Sequence, residues 1–157
     1  MKEDTYDTMQ VCMSGHCITS SFHDFPQFNR AFCPDCGDPT IVKCLACGAH
    51  IKGAYRGSFV TETPVPSFCD SCGMAHPWQV SRVANALEAL RLQGVDESDV
   101  QEVERNLPDI TRDTPRTQVA ALRIRKAIGK AGKPIYDVAI KVIGDVAAAT
   151  AKAHLGL

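Results

Sequence analysis

Cysteine is missing from the last 85 residues of this 157-residue chain, although eight cysteines stand between Cys12 and Cys72. That asymmetry divides the sequence before any motif is read. Other absences narrow the choice further. No uninterrupted apolar run approaches the roughly 20 residues that a membrane-spanning helix requires. The opening MKEDTYDTMQ has neither an apolar h-region nor a small-residue cleavage site, so export by a signal peptide is not expected. The expectation is a cytoplasmic chain in a reducing compartment, where paired cysteines more often hold metal than form disulfides. Excess charge of either sign is also missing, with 17 Lys and Arg against 18 Asp and Glu. Finally, there is no nucleophile elbow, phosphate loop or His-Glu-x-x-His run, so catalysis is not expected.

What is present is a set of cysteine pairs: Cys12/Cys17, Cys33/Cys36, Cys44/Cys47 and Cys69/Cys72. Three are Cys-x-x-Cys followed at once by Gly37, Gly48 or Gly73. Two thiolates at this spacing share a tight turn, and glycine tolerates the positive φ that closes it. Four thiolates, or three and an imidazole, complete the tetrahedron of a structural zinc, whereas a catalytic zinc keeps an open position. A thioredoxin-like pair needs a strand-then-helix context that the sequence does not offer, and an iron–sulfur cluster is the other occupant that four thiolates suit. Sequential pairing puts the first two pairs on one ion and the last two on a second; a nested arrangement is the alternative. In the first pair, Gly15 supplies the bend whether Cys12 is joined by His16 or by Cys17. His23, His50 and His76 read as exposed loop or strand residues.

The runs VCMSGHCITSSFHDFPQFNRAFCPDCG, KCLACGAHIKGAY and FCDSCGMAHPW, from about Gln10 to Trp78, resemble a bacterial family of uncharacterised double zinc-ribbon proteins. In the family pattern His16 matches a ligand position and Cys17 falls where an apolar residue is usual. The resemblance therefore implies Cys12, His16, Cys33 and Cys36 for one zinc, with Cys17 a buried spare, and Cys44, Cys47, Cys69 and Cys72 for the other. It implies no activity. Thr40–Lys43 and Ala49–Lys52 read as short strands, with Arg56–Thr63 as a further one.

After Pro77 the pattern turns helical. Val80, Val83, Ala84, Leu87, Leu90 and Arg91 fall at helical spacing up to Gly94. A second helix, capped by Asp96 or Ser98, carries Val100, Val103 and Leu107 and stops at Pro108. A third starts at Thr114-Pro115 and a fourth runs from near Pro134 to Ala149. The fold expected is small α+β: a double zinc ribbon with short antiparallel strands over 1–78, then an all-α segment of about four helices over 79–157. The last helix suits burial in its own bundle, docking on a partner or second copy, or lying on a membrane surface.

Charge is segregated in this half. Six acids between Asp96 and Asp109 face one Arg105, and seven bases between Arg112 and Lys133 face one Asp113. The two stretches can neutralise each other, or Arg116, Arg123, Lys126 and Lys130 can meet nucleic acid or an acidic partner. The zinc half is the poorer candidate for nucleic acid. It has five basic against eight acidic side chains up to Pro77, and seven thiolates add more charge than two divalent ions remove. Phosphate contact supplies most non-specific affinity. The sequence therefore points to a non-catalytic, zinc-binding interaction or adaptor protein with two structural Zn²⁺ ions. Nucleic-acid binding through 112–133 and a zinc-thiolate redox sensor are the alternatives.

Overall fold

The computed structural model describes residues 5–57 and 63–157. It divides into two compact units, Met1–Ser81 and Arg82–Leu157.

In the first unit the chain Tyr6–Cys12 does most of the organising. Strands β1 (Tyr6–Thr8) and β2 (Gln10–Cys12) follow each other around Met9; β1 pairs antiparallel with β5 (Lys52–Tyr55), and β2 lies between β3 (Cys17–Thr19) and β4 (Thr40–Ile41). Met9 extends the ladder by donating its N–H to Ile51 O at 2.8 Å. The two sheets close on Met9, Val11, Ile51 and Trp78, with Ile41 and Val65 packed against them. Among the described residues this cluster of four buried apolar side chains is a very small interior, and modules of this size usually need a metal or disulfides. Trp78 is anchored by an indole N–H bond to Pro66 O at 2.9 Å.

The short antiparallel strands agree with the sequence reading, but their positions differ. Only Thr40–Ile41 of the expected Thr40–Lys43 strand is one; Lys43 and His50 form an isolated bridge, and the last strand begins at Lys52. The expected strand Arg56–Thr63 falls largely outside the described residues. β1, β2 and β3 were not anticipated, because Asp7, Thr8 and Gln10 are polar yet buried, and their polarity hides the strand.

The second unit is helical. Among the described residues the chain forms α1 (Pro77–Leu92), which begins in the first unit, and then α2 (Glu97–Ile110), α3 (Thr117–Gly129), α4 (Lys133–Val146) and α5 (Ala149–Leu155). Their apolar stripes meet in one core that includes Leu90, Val103, Ile110, Ile124, Ile128, Ile143 and Leu155. Five helices stand where about four were expected, and the difference lies at the C-terminal end. Ala147 and Ala148 turn to extended backbone (ψ 144° and 155°) and Ala148 donates its N–H to Ile110 O at 2.9 Å, so one expected helix becomes α4 and α5. Gly144 stands in the last turn before the break, and the bond from Ala148 to Ile110 O fixes the extended chain there. Pro108 does not stop α2, which continues to Ile110. The side chain of Asp96 makes no cap bond. Thr114 precedes α3 by a turn rather than starting it, accepting the Arg116 N–H on its hydroxyl. On α1, Val80 and Ala84 face outward while Ala86, Leu87 and Leu90 are buried. Among the described residues no helix is long and apolar enough to cross a membrane.

Candidate metal centres

Three of the turns repeat one backbone pattern. Cys33, Cys44 and Cys69 donate their N–H to the carbonyl five residues on, at Asp38, Ala49 and Met74 (2.8 Å each), and Gly37, Gly48 and Gly73 return their N–H to the first cysteine at 2.8–2.9 Å. The glycines sit at φ 75–78°, which a side chain at that position would oppose. An antiparallel bridge closes each turn, Phe32 to Pro39, Lys43 to His50 and Phe68 to Ala75.

The first turn is one residue shorter. Cys12 N–H bonds His16 O at 3.0 Å, Gly15 N–H returns to Cys12 O at 2.9 Å, and Gly15 lies at φ 94°. Glycine thus precedes the second ligand position, whereas it follows the second cysteine in the other turns. The imidazole of His16, longer than a thiol, spans the difference, placing Nδ1 at 3.4 Å from Cys12 Sγ and 3.6 Å from Cys33 Sγ. Cys12 Sγ also stands 3.7 Å from Cys36 Sγ. The second group brings Cys44 Sγ to 3.8 Å from Cys72 Sγ, and Cys47 Sγ to 3.7 Å from Cys69 Sγ.

Two sets of four residues therefore present ligand atoms within 4.8 Å of one another and can hold metal ions: Cys12, His16, Cys33 and Cys36, and Cys44, Cys47, Cys69 and Cys72. The structure brings the pairs together sequentially rather than nested. It also places His16, not Cys17, in the first set. Cys17 lies at the start of β3 and is exposed, not the buried spare that the resemblance implied.

The spacing fits a single ion. A tetrahedral ion with metal–sulfur bonds of about 2.3 Å and metal–nitrogen bonds of about 2.0–2.1 Å has S–S edges of about 3.8 Å and S–N edges of about 3.6 Å. The protonation of the thiols agrees. Burial pushes Cys33 up, but N–H bonds from Asp35 and Cys36 and the Cys36 and Cys12 thiols outweigh it and hold the group at about 7. Backbone N–H bonds from Cys72 and Ser71 lead the lowering of Cys69 to about 7. Cys36 and Cys47 each accept a backbone N–H, from Asp38 and Ala49, which lowers them; burial and neighbouring thiols prevail and raise them to about 11 and about 12. Crowded thiols cannot all ionise unless a cation neutralises them, which an ion held by the four ligands would do.

Sequence reasoning missed the residues that hold the ribbon in place. Gln10, 6% exposed, clamps the loop before the second turn: its amide donates to Arg30 O at 2.7 Å and to Thr40 Oγ1 at 2.8 Å, and accepts from Arg30 N at 3.1 Å. Ser14 donates to the Asp38 carboxylate, tying the two turns of the first set together. Asp7, 3% exposed, accepts the N–H groups of Thr8, His23 (3.1 Å) and Asp24 (2.9 Å). Burial raises the pKa of its carboxyl, but these bonds and Arg56 carry it below the ordinary value. His76 also departs from expectation. It is buried and stacked on Trp78, ring centroids 4.7 Å apart, and desolvation lowers its pKa despite Asp70 nearby.

The basic residues that flank α3 pair with carboxylates of α2, while Arg125 within α3 donates to the Tyr136 hydroxyl of α4. Lys130 Nζ lies 2.8 Å from Asp99, and Arg116 Nε, just before the helix, 3.3 Å from Asp109. Arg123 and Lys126 line the same groove as Asp99 and Glu102.

The model of a family described as uncharacterised proteins conserved in bacteria (DUF2321) matches residues 5–155. The chain belongs to that family. The family match takes in the helical half, which the resemblance from about Gln10 to Trp78 did not, and the two clusters fit a double zinc-ribbon-like arrangement. No curated protein and no solved structure matches the chain.

Proposed function

We propose that the chain is a non-catalytic zinc protein. Two structural Zn²⁺ ions, one on Cys12, His16, Cys33 and Cys36 and one on Cys44, Cys47, Cys69 and Cys72, stiffen a ribbon that engages a protein partner. The observation that carries this reading is the agreement of ligand spacing, 3.7–3.8 Å between sulfurs, with the edge of a four-ligand tetrahedron. Four protein ligands leave no position for water or substrate, which is the mark of a structural site.

Partner binding is supported by apolar side chains that a unit with so small a core leaves outside. Leu45 and Met74, which line one groove beside the second cluster, are 64% and 57% exposed, and Phe25, Phe28 and Phe32 are also exposed. On α4 and α5, Ile140, Ile143, Ala151 and Leu155 are used inside the helical core, which speaks against docking or self-association through that face. The pairing of Lys130 and Arg116 with α2 carboxylates speaks likewise against nucleic acid.

The test is crosslinking in the native host with the full chain and with a Leu45→Ser/Met74→Ser variant. The expected result is one protein partner, lost in the variant while two zinc ions are retained. An unchanged partner set would overturn the assigned surface, and a chain that crosslinks to nothing would overturn the interaction reading.

A further inference from the structure

We propose that His23 and His50 form a third, exchangeable binding site for a divalent transition-metal ion, separate from the two cysteine clusters. The two rings come from distant points in the chain, one from the loop after β3 and the other from the strand-like bridge after the third turn. They meet with centroids 6.1 Å apart and planes inclined at 64°. Both are exposed, and both line a cleft of about 480 Å³ that also holds Asp70.

Three features make this more than a chance approach. First, the His23 loop is fixed from beneath: the buried Asp7 carboxylate accepts the backbone N–H groups of His23 and Asp24. Second, His50 Nδ1 is 3.3 Å from Thr8 Oγ1, leaving Nε2 as the free nitrogen. A hydrogen bond at the remote nitrogen is the usual way a metal-binding imidazole is oriented. Third, the cations of the cleft are occupied elsewhere. Lys52 Nζ lies 3.8 Å above the Tyr6 ring, and Arg56 is 4.0 Å from Asp7 and 3.5 Å from Asp24. Two imidazoles suit zinc, nickel or copper(II) rather than magnesium or calcium.

Two imidazoles on one ion, with metal–nitrogen bonds of about 2.0–2.1 Å, bring their centroids to roughly 5 Å. Side-chain rotation of about an ångström closes the gap, as exposed rings allow. Water completes the coordination, and a site with two protein ligands exchanges its ion more readily than the four-ligand clusters.

The experiment is calorimetric titration of Zn²⁺ into the full chain after both clusters are loaded, with metal content measured in parallel. One further equivalent is expected. His23→Gln or His50→Gln each weakens it by about 10-fold or more, Thr8→Val weakens it without abolishing it, and His154→Gln leaves it unchanged. Cobalt substitution checks the clusters separately, since their thiolate-to-metal absorption must be the same in every variant. A third equivalent that persists in the His23→Gln/His50→Gln variant, or no third equivalent in the parent chain, overturns the proposal.

Discussion

His16 Nδ1 stands 3.4 Å from the sulfur of Cys12, while the neighbouring Cys17 begins a strand and lies outside the cluster. Adjacent residues in the chain thus have different fates. His16→Ala is expected to lose one tightly held ion per chain and keep the other, whereas Cys17→Ser keeps both. Native mass spectrometry of the two variants reads this directly. Loss of an ion from Cys17→Ser with retention in His16→Ala would reverse the assignment.

Gly53 marks a close approach of strands. A Cβ there would fall against Ser20 O and within 2.8 Å of the Thr8 carbonyl carbon, all backbone that cannot swing aside. Gly53→Ala is therefore expected to destabilise the first unit by about 1–3 kcal/mol. Denaturant unfolding followed by the fluorescence of Trp78, the only tryptophan of the chain, measures it.

Asp7→Asn removes a charged acceptor from three backbone N–H groups and a partner from Arg56. Leaving buried donors under-satisfied costs about 1–3 kcal/mol. Because the Asp7 pKa is lowered from 3.8, its contribution is complete above that value and fades only as pH falls below it. The deficit of the variant should accordingly be constant between pH 5 and 8.

Metal affinity, by contrast, changes between pH 5 and 8. Cys36 and Cys47, held at about 11 and about 12, bear protons at neutral pH and must release them to bind. Metal uptake is expected to liberate about one proton or more per ion, and affinity should fall as pH falls from 8 to 5. Calorimetry in buffers of different ionisation enthalpy gives the proton count.

Much of this site was legible in the sequence because cysteine spacing is a local property. Cys-x-x-Cys-Gly writes the turn, its glycine and two of the ligands into five residues, and sequential pairing follows when each loop closes on its neighbour. The strands were harder. Asp7, Thr8 and Gln10 lie in extended chain yet are buried, satisfied by partners such as Asp24 and Arg30 that no local pattern names. The end of α4 was unreadable for a similar reason, since the extended chain at Ala147 and Ala148 is fixed by a bond to Ile110 O. The opposed charges of α2 and α3 could be seen, but only packing shows Lys130 meeting Asp99.

The central claim is that thiolate–metal bonds take the place of the interior that Met9, Val11, Ile51 and Trp78 are too few to supply. Elemental analysis of the purified full chain, after passage over a weak chelator that strips exchangeable metal, tests it most directly. Two zinc ions per chain, with loss of Trp78 burial when a strong chelator removes them, is the predicted result. A metal-free chain that remains folded, or cysteines joined to one another in disulfides, would contradict it.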